Sequence, residues 1–117
     1  MKDDSIFVRH ILESIKNIEE FSKSLSKEEF AKSRLKQSAI IRELEIIGEA
    51  SKNLSDEFKN KYKIIEWKLI AGFRDKLAHH YFGIVLERVW NIIEKDLPNL
   101  KKEIEKIISE INMLGKK

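Results

Sequence analysis

The chain contains no cysteine, one proline and four glycines in 117 residues. Without cysteine it has no disulfide, no thiolate zinc site and no cysteine nucleophile, so packing alone must hold the fold. So little glycine and proline leaves few of the turn residues on which a strand-and-hairpin fold depends. No apolar run approaches the length of a membrane span, and Met1-Lys2-Asp3-Asp4 is acidic where a secretory leader would be basic and then apolar. A cytoplasmic protein with no membrane contact is therefore expected. An excess of either charge is missing as well: 23 basic and 20 acidic residues leave +3. Composition alone does not mark a nucleic-acid binder, and any contact with phosphate has to come from a local patch.

Hydrophobic residues make up 42% of the chain and charged ones 37%, in a length that accommodates one domain with a modest core. Asp3, Asp4 and Ser5 can cap a first helix whose apolar positions Val8, Ile11, Leu12, Ile15 and Ile18 recur at helical spacing, running to about Ser24. Ser26 and Glu29 form a capping box for a short second helix through Phe30. After a break near residues 32–34, a longer helix carries Leu35, Ile40, Ile41, Leu44 and Ile47 and ends near Asn53-Leu54. Gly48 inside it costs about 1 kcal/mol relative to alanine, which predicts close approach of another helix. Ser55, Asp56 and Glu57 cap a helical turn ending around Tyr62, and Ile64-Ile65 lead into a segment from Glu66 to Tyr81, with Gly83 placed where a helix stops. Val85, Val89, Ile92 and Ile93 give the next face. Asp96 to Pro98 mark a kink or a fresh start, and Ile104, Ile107, Ile108 and Ile111 close the chain. The expectation is an all-α, single-domain antiparallel bundle of five to six helices over residues 1–117.

Chemistry concentrates in Phe73-Arg74-Asp75-Lys76-Leu77-Ala78-His79-His80-Tyr81-Phe82, since the chain's only other histidine is His10. Cleaving RNA without a metal takes a base for the ribose 2′-hydroxyl and a fixed cation for charge gathering on the phosphoryl oxygens. A histidine titrating near pH 6.5 is largely the free base at neutrality, and an arginine stays charged and grips phosphate at two points. Tyr81 adds a hydrogen bond or a stacking surface. On one ideal helix, however, Arg74 and Tyr81 nearly coincide while His79 lies about 140° from Arg74. Convergence requires that the helix loosen between Ala78 and Gly83, or that two copies share the cleft across a twofold axis; the second is favoured. By spacing alone the same residues also suit a helix-end cap and a surface arginine, and Tyr81, Phe82 and Trp90 suit packing.

The stretch from Glu66-Trp67 through Arg74 to Gly83, on to Val89-Trp90 and Asp96-Leu97-Pro98-Asn99-Leu100, resembles the HepT-like branch of the HEPN superfamily. Upstream, Ile46-Ile47-Gly48-Glu49-Ala50 is similar to that family's second hallmark, in the expected order, and the likeness covers essentially the whole chain. The resemblance implies an all-helical homodimer acting as a ribonuclease toxin of a type VII (HEPN/MNT) toxin-antitoxin module, with both motifs lining a common cleft and no metal or other cofactor. It assigns the phosphate to Arg74, the base to His79 and completion of the site to Tyr81. It also implies an MntA-like nucleotidyltransferase antitoxin that attaches AMP to Tyr81, bringing bulk and negative charge into a cleft that must accept RNA.

Two positions depart from the family pattern. The residue after the arginine is commonly asparagine and is Asp75 here; the residue between histidine and tyrosine is often acidic and is His80 here. Asp75 can pair with Arg74 or Lys76 and weaken phosphate binding, whereas His80 adds a second candidate base. Glu49 either borders the cleft or is a solvated helix carboxylate, and Lys101-Lys102 and Lys116-Lys117 read as a solvated face rather than an RNA track. Asp75 opens an alternative, a non-catalytic HEPN subunit that binds a nucleotidyltransferase partner or a nucleotide. A di-metal carboxylate bundle needs paired Glu-x-x-His elements, and the residues three before His79, His80 and His10 are Lys76, Leu77 and Phe7.

Overall fold

The computed structural model describes residues 3–78 and 84–115; of these, the side chains of residues 74–78, 84, 85 and 115 fall outside the description. Seven α-helices span the described residues: α1 (Asp4–Ser22), α2 (Lys27–Lys32), α3 (Arg34–Lys52), α4 (Asp56–Lys61), α5 (Trp67–Ala78), α6 (Ile84–Asn91) and α7 (Leu97–Gly115), with a π-helical turn at Ile92–Asp96 joining the last two. No strand occurs among the described residues. Counted as one interrupted helix, α6 to α7 brings the number to six, the upper end of the expectation. At 1.5 Å per residue that rod is about 48 Å long, which matches the 49 Å long axis of the molecule.

Local side chains set the boundaries. Asp3 accepts from the Ser5 backbone N–H at 3.0 Å and starts α1. Its end comes at Ser22, two residues early, because Lys23 and Ser24 turn the chain: Leu25 N–H reaches the Ser22 carbonyl at 3.0 Å and Ser24 has φ 59°. That is the positive φ required at the third position of a type II turn. The capping box forms in both directions, Glu29 N–H to Ser26 Oγ at 3.1 Å and Ser26 N–H to Glu29 Oε1 at 2.9 Å. Ser33 ends α2 and caps α3, accepting from Lys36 N–H at 3.1 Å. Ser55 caps α4 and is itself held by Asp4, which accepts its N–H at 2.8 Å and its hydroxyl at 2.7 Å. The start of α1 is thereby tied to the start of α4.

α3 packs between α1 and α5, and α7 lies against α1. Lys101 bonds Glu19 at 2.9 Å while Arg9 bonds Asn112 at 2.7 Å, so α1 and α7 run antiparallel. Between them sit Ile11, Ile15 and Ile18 of α1, Ile40, Leu44 and Ile47 of α3, and Ile104 of α7, all buried. Each contributes about 1.5–3 kcal/mol by burial, against about 0–1 kcal/mol for an exposed ion pair such as Lys27 with Glu87. The apolar stripe therefore governs stability, and Gly48 is buried within α3 as close helix packing requires.

Two readings change. Leu35, expected on the apolar face of α3, is 79% exposed. It lies five residues before Ile40, about 140° around the helix from that buried position; Gln37 is buried in its place, donating to the Phe30 and Ala31 carbonyls at 3.0 and 3.1 Å. At the discontinuity before Pro98 the chain passes from α6 into α7 through the π-helical turn Ile92–Asp96. Leu97 N–H bonds to the Ile92 carbonyl five residues back, and the widened turn precedes a proline that can neither donate nor tolerate a carbonyl four residues earlier.

Candidate functional site

The helix that carries the first motif residues is anchored at its start. Trp67 is buried and its indole N–H donates to the Tyr62 carbonyl at 3.1 Å, within an aromatic group in which Phe58 stands 4.8 Å from Tyr62 and 6.0 Å from Trp67. Trp67, Ile70 and Phe73, at three-residue spacing, give α5 its buried face, and α3 is its principal neighbour. Arg74 follows Phe73 directly, so the backbone of Arg74 and Asp75 is carried in the second half of a packed helix. Their side chains, and all of His79, His80, Tyr81, Phe82 and Gly83, lie outside the described residues.

On the far side of the motif α6 is fixed by buried Val89 and Trp90, the Trp90 ring resting 5.4 Å from Phe30 of α2. Trp90 is thus a packing residue. Both described flanks of the motif are fixed to the core, α5 through α3 and α6 through α2.

Glu49 is exposed on α3 and lines an open groove of about 410 Å³ between α1 and α3, together with Phe7, His10, Arg42 and Asn53. His10 is exposed and stands edge-on to Phe7 at 6.3 Å. With Glu45 also lining it, the groove gathers two carboxylates, an imidazole and a guanidinium. The part of His10 in it was not singled out in the sequence, where the i, i+3 spacing of Phe7 and His10 on an amphipathic helix is the available signal. Lys101 is paired with Glu19 and Lys102 is exposed, as a solvated face requires, while Lys116 and Lys117 lie outside the described residues. Among the described residues no helix is long and apolar enough to cross a membrane.

Residues 11–107 match the family model described as "Ribonuclease HepT-like". A Methanocaldococcus jannaschii protein described as "Gamma-glutamylcyclotransferase and putative RNase" is 49% identical over 111 residues, 95% of this chain and 50% of that protein; the chain therefore spans half the length of that relative. A second protein of the same organism, described as "Putative RNase", is 49% identical over 110 residues, 94% of this chain and 91% of its own length. The "Probable ribonuclease HepT" of Thermococcus cleftensis is 43% identical over 101 residues, 86% of this chain and 92% of that one. No solved structure gives a significant match. With a family match that runs from α1 through α7 and takes in both the Gly-Glu-Ala element and the Arg74–Tyr81 motif, the chain belongs to the HepT-like ribonuclease family.

Proposed function

We propose that the chain is a metal-independent endoribonuclease working in the cytoplasm as a homodimer, the toxin of a type VII (HEPN/MNT) module. The family match across residues 11–107 carries this reading. His79 takes the proton of the 2′-hydroxyl, whose oxygen bonds to the adjacent phosphorus. The bond from phosphorus to the 5′-oxygen breaks, leaving a cyclic 2′,3′-phosphate, and the departing oxygen takes a proton, for which His80 offers a neighbouring imidazole. Arg74 grips the phosphoryl oxygens as charge gathers, and Tyr81 completes the site. Because Arg74 and His79 diverge by about 140° on one regular helix, Arg74 of one protomer meets the partner's His79 in a cleft shared across the twofold axis. An MntA-like nucleotidyltransferase silences the site by placing AMP on Tyr81.

The purified chain should cut RNA but not DNA in EDTA, because DNA lacks the attacking hydroxyl. His79→Ala and Arg74→Ala should each lower the rate by at least about a hundredfold. RNA left intact by the unmodified protein, or His79→Ala cutting as well as wild type, would sink the proposal. Asp75 favours a second reading, a non-catalytic subunit that holds the nucleotidyltransferase partner or a nucleotide. Mass spectrometry after co-expression separates the two: AMP on Tyr81 with growth arrest on its removal marks the toxin, and a stable, unmodified, non-toxic complex marks the binding subunit.

A further inference from the structure

α2 has six residues, of which only Phe30 is buried. A helix so short does not persist in water by itself, so it stays folded through what its side chains meet. Phe30 meets α6: its ring stands 5.4 Å from that of Trp90, itself buried. The same two helices are joined at the surface, where Lys27 Nζ lies 2.6 Å from Glu87 Oε1. That bond holds the Lys27 ammonium above its ordinary value near 10.5, and Glu94 on the π-helical turn adds to the pull. α2 and α6 thus meet twice, once through apolar rings and once through charge.

The turn at Lys23 and Ser24 precedes α2 and Ser33 ends it, so α2 can open without unwinding α1 or α3. α6 begins at Ile84, three residues after Tyr81, whereas the upstream flank of the motif is fixed separately, by α5 against α3. We infer that α2 is a latch on α6: the contacts of Phe30 with Trp90 and of Lys27 with Glu87 couple the two helices into one opening unit, apart from α1, α3 and α7. Released, the latch frees the helix into which the motif runs and leaves the central body folded. The inference does not depend on the chain cleaving RNA.

Hydrogen exchange of the full chain in low, rising denaturant reads such units directly. The amides of residues 30–33 and 88–91 should share one opening free energy, below that of the buried stretches of α1, α3 and α7. Lys27→Glu should speed exchange at residues 88–91 by about threefold or more and leave α1, α3 and α7 as in wild type. A carboxylate at the start of α2 favours that helix by itself, so the gain reports the lost bond to Glu87. Lys27→Arg keeps that bond and should exchange as wild type does. Phe30→Leu, which removes the ring facing Trp90, should speed both segments by about tenfold. Lys27 is exposed, so its variants keep the test decisive if Phe30→Leu fails to fold. The latch is overturned if residues 88–91 exchange together with α1, α3 and α7 in wild type, if α2 opens alone, or if Lys27→Glu leaves residues 88–91 unchanged.

Discussion

Gln37 shows how a polar side chain specifies this core. Its buried amide donates to the Phe30 and Ala31 carbonyls near the end of α2, where Phe30 also accepts from the Ser33 backbone N–H at 3.2 Å. Replacing it with leucine keeps the volume and removes one donor from each of the two carbonyls, at a cost of about 1–3 kcal/mol. Gln37→Leu should therefore lower Tm by roughly 4–12 °C, read by thermal melting at fixed protein concentration; an unchanged Tm would show that the two bonds contribute nothing. Gln37 was not legible in the sequence, where its polar side chain argues for solvent. Leu35 failed in the opposite sense, since hydrophobicity alone placed it on a face that helical geometry turns outward. At Ile64-Ile65 the pattern gave two equal apolar residues, and the fold buries only the second. The candidate site was read from residue types in one short run, Arg74 to Tyr81, together with a family resemblance. Spacing could not say whether Arg74 and His79 converge, because that depends on whether a second chain supplies one of them.

Caps were the most legible features at the scale of the element, because each needs only two or three neighbouring side chains. Asp3, Ser26 with Glu29, and Ser55 all cap as their residue types predict. These caps carry a pH dependence. The Ser26 backbone N–H, bonded to the Glu29 carboxylate, holds that group below its ordinary value near 4.5. The Ser5 hydroxyl, and then the Ser5 backbone N–H, do the same for Asp3. A carboxyl with a depressed pKa in the folded chain contributes stability that is complete above its unfolded value and is lost as pH falls through the folded one. Glu29→Gln should therefore flatten the fall in Tm below about pH 4.5 relative to wild type, measured by melting across acid pH; superimposable profiles would contradict the capping role. The π-helical turn was illegible by contrast. Pro98 announces a discontinuity, but whether the chain breaks, kinks or widens is settled by how α6 and α7 each meet the core, and no local signal reports that.

At the scale of the whole molecule, most of the core lies on helices other than the two beside the proposed site. α1, α3 and α7 hold most of the buried isoleucines and leucines, while α5 and α6 lie beside the motif and are fixed to that body through α3 and α2. Helical periodicity carried the all-α architecture because nineteen-residue helices repeat their apolar stripe over five turns. Assembly is the part no single-chain pattern encodes. In the proposed dimer, the shared cleft would contain Arg74 of one protomer and the partner's His79, twice over. Inactive Arg74→Ala and His79→Ala proteins, unfolded together and refolded as a mixture, should then form hybrid dimers with one intact site apiece, restoring about a quarter of wild-type RNA cleavage. A refolded mixture as inactive as either variant alone would contradict a site built from both subunits.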